Sequence, residues 1–204
     1  LPQLLAFEQE VLPALRETAQ VRRTLTVWSA GCSTGEEAYT LAILIARSGR
    51  FKGWDVRVFG NDISRRCLHV ARRGVYRDTS FRALPREFES YFVPTPEGRA
   101  VVPEIRAMCH FGHFNLMDEA RTAILGRVDA VFCRNVLIYF DQASRRRVIQ
   151  AFYDRLHPEG FLMLGHSESL LNTSTAFELA HLRGDLAYRK PARADQTPGE
   201  RRQG

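Results

Sequence analysis

Hydrophobic and polar positions along the chain alternate between short continuous apolar runs and stretches with a 3.6-residue beat. Residues 25–30 form an apolar run of the length of a buried strand. Ala38, Leu41, Ala42, Ile45 and Ala46 then recur at helical spacing. Residues 54–60, WDVRVFG, alternate and are rich in Val and Phe, which predicts a second strand. Residues 63–73 read as a basic-faced helix that Gly74 ends. GRVDAVFC at 126–133 is the clearest buried strand, and Val148, Ile149, Phe152 and Leu156 follow at helical spacing behind Asp141, a capping residue. Residues 161–165 predict another buried strand. Residues 177–182 and 185–189 predict a closing pair, with a turn near Arg183 and Gly184. Ahead of the first strand, Leu4, Leu5, Val11, Leu12 and Leu15 suit a helix across the sheet that Pro13 bends or ends. Strands alternating with helices predict an α/β fold.

Residues 75–114 break that rhythm. PREFESYF predicts a short helix, Pro94, Pro96 and Gly98 a turn between two short apolar runs, and residues 108–114 alternate weakly. The stretch reads as a small antiparallel insertion within one domain. His110 and His113 flank it beside Cys109, but without a carboxylate partner they predict no metal site. Residues 191–204 are rich in Pro, Arg and Gln and predict a disordered tail.

Composition narrows the class. A chain of 204 residues, 45% hydrophobic, suits one α/β domain over residues 1–190. No apolar run approaches the ~20 residues that span a bilayer, so no membrane insertion is expected. Cys32, Cys67, Cys109 and Cys133 lie far apart with no CxxC, which predicts reduced, buried thiols and a cytoplasmic setting. The net charge of +6 sits in short arginine clusters without an aromatic-interleaved RNA motif. They read as solvated helix faces, and no nucleic-acid partner is expected.

The chemistry centres on residues 27–42, VWSAGCSTGEEAYTLA. Strand, glycine turn and helix follow one another, and Gly31 and Gly35 let a ligand lie close to bare backbone. Thr34 is a candidate N-cap, with Glu36 and Glu37 in the first helical turn. A phosphate-binding turn leaves its helix N-terminus open to anions and often adds Lys or Arg; this one carries two acids and no base. A cationic or zwitterionic ligand such as S-adenosylmethionine suits it. An ordinary turn with solvated acids is the alternative. Asp62, just past the second strand, stands where an acid accepts hydrogen bonds from ribose hydroxyls, or else caps the next helix; Ser64 is a second candidate for that cap. Asn135 and Tyr139 follow the strand at 126–133, where an active-site loop belongs.

VWSAGCSTGEEAYTLA, FGNDIS, ARRGVY, FNLMD, VDAVFCRNVLIYFD and LHPEGFLMLGHSESL, in this order, resemble the CheR family over about residues 1–190. These are S-adenosylmethionine-dependent methyltransferases that esterify glutamate side chains on bacterial chemoreceptors. The resemblance implies a class I methyltransferase, Rossmann-like mixed sheet with helices on both faces and an inserted antiparallel β-subdomain at about 75–114. It implies that Glu36 meets the methionine end of the cofactor and that Asp62 holds the ribose. Asn115-Leu116 and Asn135-Val136 would flank the adenine and the methyl-transfer site. The product is S-adenosylhomocysteine. An acceptor glutamate, with a pKa of about 4.3, is already ionised at neutral pH and needs no general base. It needs an orienting cation or hydroxyl, for which Arg134 and Tyr139 are candidates, their alternatives being a surface Arg and a core Tyr.

Two departures stand out. The family's Thr-x-Phe-Phe-Arg segment and N-terminal helical domain are not found between Leu1 and Leu25, so the chain is expected to begin just downstream of them. The TPEGRAV turn is short compared with members that grip a receptor's C-terminal pentapeptide tether, which implies tether-independent recognition of receptor cytoplasmic domains. A methyltransferase for a different acceptor, or a non-catalytic cofactor-binding signalling module, remains open on sequence grounds.

Overall fold

The computed structural model describes residues 2–81, 85–170 and 173–192; the expected disordered tail lies almost wholly outside these. In chain order the strands are β1 (Thr24–Ala30), β2 (Asp55–Asp62), β3 (Val75–Tyr76), β4 (Phe92–Thr95), β5 (Gly98–Val101), β6 (Cys109–His113), β7 (Val128–Cys133), β8 (Leu156–Leu164), β9 (Glu178–Leu182) and β10 (Asp185–Arg189). The helices are α1 (Pro2–Ala6), α2 (Leu12–Thr18), α3 (Glu36–Ser48), α4 (Arg65–Arg73), α5 (Pro103–Met108), α6 (Glu119–Ile124) and α7 (Gln142–Arg155). A widened π turn, Phe7–Val11, joins α1 to α2 immediately before Pro13. Pro13 has no N–H to give the preceding turn, and the wider turn absorbs that loss without ending the helix.

The main sheet runs β6-β2-β1-β7-β8-β10-β9 and is parallel from β6 to β8; β10 runs against both its neighbours. It is the mixed sheet of an α/β fold. Strand alternation sorts side chains onto two faces. Val27, Ala130, Phe132 and Met163 face α3 and the N-terminal helices, where Phe7, Leu12, Leu41 and Ile45 pack. Trp28, Val131, Cys133 and Leu162 face α7, meeting Val148, Ile149 and Phe152. Trp28 and Phe152 meet edge to face at 5.1 Å. Both sides of β7 are buried, which is why it reads as one unbroken apolar run. Burying a side chain such as Phe152 contributes about 1.5–3 kcal/mol.

The antiparallel insertion is smaller than the 75–114 expected. It is a three-stranded sheet, β3-β5-β4, that ends at Val101. Residues 109–113 instead pair in parallel with β2, Val58 opposite Cys109, and form the edge of the main sheet. Their weak alternation carries no local sign of that partner, which lies far upstream.

The sheet grows outward from β1 to β2 and β6, then the chain returns to the other side of β1 to add β7 and β8. Strand order therefore reverses between β1 and β7. Ligands of such sheets bind in the crevice beyond the carboxyl ends of the strands at that reversal.

Candidate functional site

The crevice is built from the turn after β1, the end of β2 and the loop after β7. At the turn, the Gly31 and Cys32 N–H groups donate to the Asn61 carbonyl at 2.9 and 2.8 Å. Asn61 is itself buried: its Oδ1 accepts from the Trp28 indole at 2.8 Å and its Nδ2 donates to the Phe114 carbonyl at 3.2 Å. The turn is thus stitched to β2 and to the end of β6. Gly31, Ser33 and Gly35 have φ of 77°, 48° and 91°. A Cβ at Gly31 would lie 2.6 Å from Val136 Cγ2, and one at Gly35 would lie 2.8 Å from the Ala71 Cβ. Both glycines therefore admit this chain's own residues, where the sequence suggested room for a ligand. Thr34 does not cap α3. Gly35 occupies that position, and the Thr34 hydroxyl donates to Glu36 at 2.6 Å.

Asp62 is drawn to the turn. Its two oxygens accept from the Ser33 N–H at 2.9 Å and the Ser64 N–H at 2.8 Å, while the Ser64 hydroxyl caps α4. The carboxylate is fixed in orientation, and each oxygen keeps a second lone pair.

The two acids of the turn part company. Glu36 is exposed and bonded to Thr34. Glu37 sits in the crevice, its side chain 19% exposed, accepting from the Ser29 hydroxyl at 2.8 Å and pairing with Arg134 at 3.3 Å. Burial pushes the Glu37 carboxyl up from its ordinary value; Ser29 and Arg134 oppose the shift and the Glu168 charge adds to it. The sequence expectation for Glu36 thus falls on an outward position, and its neighbour stands in the crevice. Helical spacing carried that signal: Glu37 shares a stripe with Leu41, Glu36 with Thr40. Cys32, beside them, is held as a thiol, pushed up to about 12 by burial and by the Asp62 and Glu37 charges.

Residues 134–139 form the opposite wall. Asn135 has a φ of 59°, and Leu137–Tyr139 make one 3-10 turn. One carboxylate holds this loop. Glu168 Oε2 accepts from the Asn135 and Gly165 N–H groups, each at 2.8 Å; Oε1 accepts from Val136 at 2.9 Å and Leu137 at 2.7 Å. A Cβ at Gly165 would lie 2.7 Å from Glu168 Oε2, so the glycine makes room for the anion. Sequence reasoning did not single out Glu168, because three of its four donors, Asn135, Val136 and Leu137, lie more than thirty residues earlier in the chain. Arg134 aligns with Glu37, and its Nε is buried without a partner among the described residues. Tyr139 is 83% exposed at the rim, so it is not the core tyrosine that was its alternative. Asn115 is exposed after β6, its Oδ1 accepting from the Met117 N–H, whereas Leu116 is buried in the α7-side core.

The structure therefore brings Gly31, Arg134, Asn135 and Val136 together, with Asp62 fixed beside them. Glu36 faces outward from α3, Asn115 is exposed after β6 with Leu116 in the α7-side core, and Tyr139 is exposed at the end of its 3-10 turn. Carboxylate, guanidinium and a second carboxylate in sequence match a ligand bearing an ammonium, a carboxylate and a diol.

Comparison with known proteins gives the family. A family described as "CheR methyltransferase, SAM binding domain" matches residues 2–184. A chemotaxis protein methyltransferase 2 of Vibrio cholerae is 35% identical over 170 residues, covering 82% of this chain and 59% of that protein. A chemotaxis protein methyltransferase 2 of Pseudomonas aeruginosa is 38% identical over 165 residues, covering 78% and 58%. The chain thus spans just under three fifths of the length of these relatives. The solved structure of an O-methyltransferase family protein from Burkholderia thailandensis shares the fold, with a TM-score of 0.51 at 15% identity over 92% of this chain and 57% of that one.

Proposed function

The chain belongs to the CheR methyltransferase, SAM-binding domain family, and from that premise we propose that it methylates glutamate side chains on the cytoplasmic domains of chemoreceptors. S-adenosylmethionine is the cofactor of this family, and when bound it supplies an electrophilic methyl group to an acceptor carboxylate. The crevice fits such a zwitterion: the Glu37 carboxylate stands in it beside Arg134, whose Nε has no acceptor among the described residues. That carboxylate, held by Ser29 and Arg134 at the strand reversal, is the observation that carries the reading.

In this account Glu37 takes the cofactor's ammonium and Asp62 its ribose hydroxyls. Arg134, with the rim phenol of Tyr139, orients the acceptor. The Gly31 turn and the Asn135-Val136 backbone close on the methyl-transfer position, and Asn115-Leu116 flank the adenine. Glu36 stays at the outer lip. No residue serves as a general base, since the acceptor is already ionised at neutral pH. The chain's work is alignment and exclusion of water. Aligned groups gain effective molarities of roughly 10⁵–10⁸ M. Charges that cancel on the way to the transition state are favoured by a drier site. The β4–β5 turn is only Pro96 and Glu97, which supports recognition independent of a C-terminal pentapeptide tether. Among the described residues no helix is long and apolar enough to cross a membrane, and action on receptor cytoplasmic domains places the proposed activity in the cytoplasm.

The test is incubation with methyl-labelled S-adenosylmethionine and receptor cytoplasmic fragments. Base-labile label released as methanol is the expected result. Label stable to base would point to N-methylation and overturn the glutamate assignment.

A further inference from the structure

Beside the glycine turn, on the side away from β7, a cavity of about 740 Å³ opens between α4 and the small antiparallel sheet. Thr34 and Glu36 form one wall, so it adjoins the proposed cofactor crevice. Arg66, His69 and Arg73 of α4 and Arg77 beyond it line the rest. Residues 66, 69 and 73 lie on one helical face. Over its nine residues α4 holds four arginines and a histidine and no acid. Arg73 is paired with Glu97, and Arg72 donates to the Phe111 carbonyl. Arg66 and Arg77 are exposed, and their side chains have no hydrogen bond or ion pair among the described residues. Guanidiniums exposed at a concave wall without a partner are positioned for an anion from outside.

The arrangement also says which anion. Glu36 and Glu97 stand among the arginines, so the wall alternates in sign. A dense polyanion would meet both carboxylates. Tyr76, the one Phe, Tyr or Trp in the lining among the described residues, is buried and spends its hydroxyl on the Thr34 carbonyl at 2.8 Å, so the single imidazole of His69 is the one exposed ring and no run of aromatic faces is offered to successive bases. Dispersed carboxylates on a peptide fit better than a phosphate backbone.

We infer that this cavity is a docking subsite for an acidic peptide segment flanking the acceptor glutamate, held by Arg66 and Arg77. The inference rests on the peptide-glutamate reading above and adds to it: selection is by neighbouring acids and not by the acceptor alone. The segment reaches the cavity past Thr34 and Glu36 while the acceptor enters the crevice.

Direct binding tests it without requiring turnover. Two fluorescein-labelled peptides, one with glutamates flanking the acceptor and one with glutamines there, are titrated with the chain saturated by S-adenosylhomocysteine. The acidic peptide is expected to bind at least about tenfold more tightly, with the advantage fading as salt rises. Arg66→Glu with Arg77→Glu should abolish the preference, and Arg66→Gln with Arg77→Gln should weaken it, both without changing S-adenosylhomocysteine affinity. Equal binding of both peptides, wild-type preference in the reversed variant, or stronger competition by an RNA oligonucleotide of the same charge would each overturn the subsite. The methyl-ester assay reads the catalytic reading separately: methanol-releasing label with no peptide preference refutes only the subsite.

Discussion

Replacing Glu168 by glutamine tests how the crevice wall is held. The wild-type carboxylate accepts four main-chain N–H groups at 2.7–2.9 Å, two on each oxygen. A glutamine has one acceptor oxygen, so it serves one pair and turns its NH₂ donors toward the other. Two charge-assisted bonds are lost, each contributing about 1.5–3 kcal/mol. Their sum is ~3–6 kcal/mol, and solvent reaching the exposed Asn135 N–H brings the expectation to the lower end, ~3 kcal/mol. At about 2–4 °C per kcal/mol for a domain of this size, the melting temperature should fall by ~6–12 °C. Asn135 and Val136 sit on the loosened loop, so S-adenosylhomocysteine affinity should fall about fivefold to thirtyfold from the added cost of ordering it. Thermal unfolding followed by circular dichroism, with calorimetric titration, reads both. A Glu168→Gln variant within about 2 °C of wild type and with unchanged affinity would refute the reasoning.

Two further perturbations follow from the same geometry. Glu37 faces Ser29, Arg134 and the Glu168 charge, and burial holds its carboxyl above the ordinary value. A cationic ammonium beside it lowers that value again, so cofactor-product affinity should be full above the free chain's Glu37 pKa and decline as pH falls through it. Binding at such lower pH should release a proton, seen by calorimetry in buffers of different ionisation enthalpy; Glu37→Gln should lose both effects. In the free chain the sign is opposite: the raised value contributes stability at low pH that is lost as pH rises through it. Gly31→Ala places a Cβ 2.6 Å from Val136 at a φ of 77°. It should destabilise by ~1–3 kcal/mol in chemical denaturation, and adding Val136→Ala should recover part of that, leaving the backbone term. No recovery in the double variant would mean that the contact with Val136 is not the source.

The sequence carried most of the architecture where a strand is buried on both faces, as β7 is, and where a side chain caps a helix, as in α4, α6 and α7. β7 and α7 announce themselves through an unbroken apolar run and through Asp141, whose carboxylate accepts from the Ser144 N–H at 2.7 Å. What stayed hidden was set by distant partners. Residues 109–113 are a main-sheet strand only because β2 lies beside them. Glu168 belongs to the site only through N–H groups some thirty residues earlier in the chain. The position of Asp62 at the end of β2 was legible, but its anchoring by the Ser33 N–H was not. Which of Glu36 and Glu37 faces inward was open to helical periodicity, a matter of a single residue step.

In the proposed function, carboxylates at the strand reversal between β1 and β7 receive a nucleoside that bears an ammonium group and no phosphate. Calorimetric titration with S-adenosylhomocysteine, with ATP, and with the Asp62→Ala variant separates the outcomes. One S-adenosylhomocysteine should bind per chain, ATP should not, and Asp62→Ala should weaken the interaction by ~1–3 kcal/mol through lost charged hydrogen bonds. Heat from ATP with none from S-adenosylhomocysteine, or an Asp62→Ala variant that binds as wild type, would contradict it.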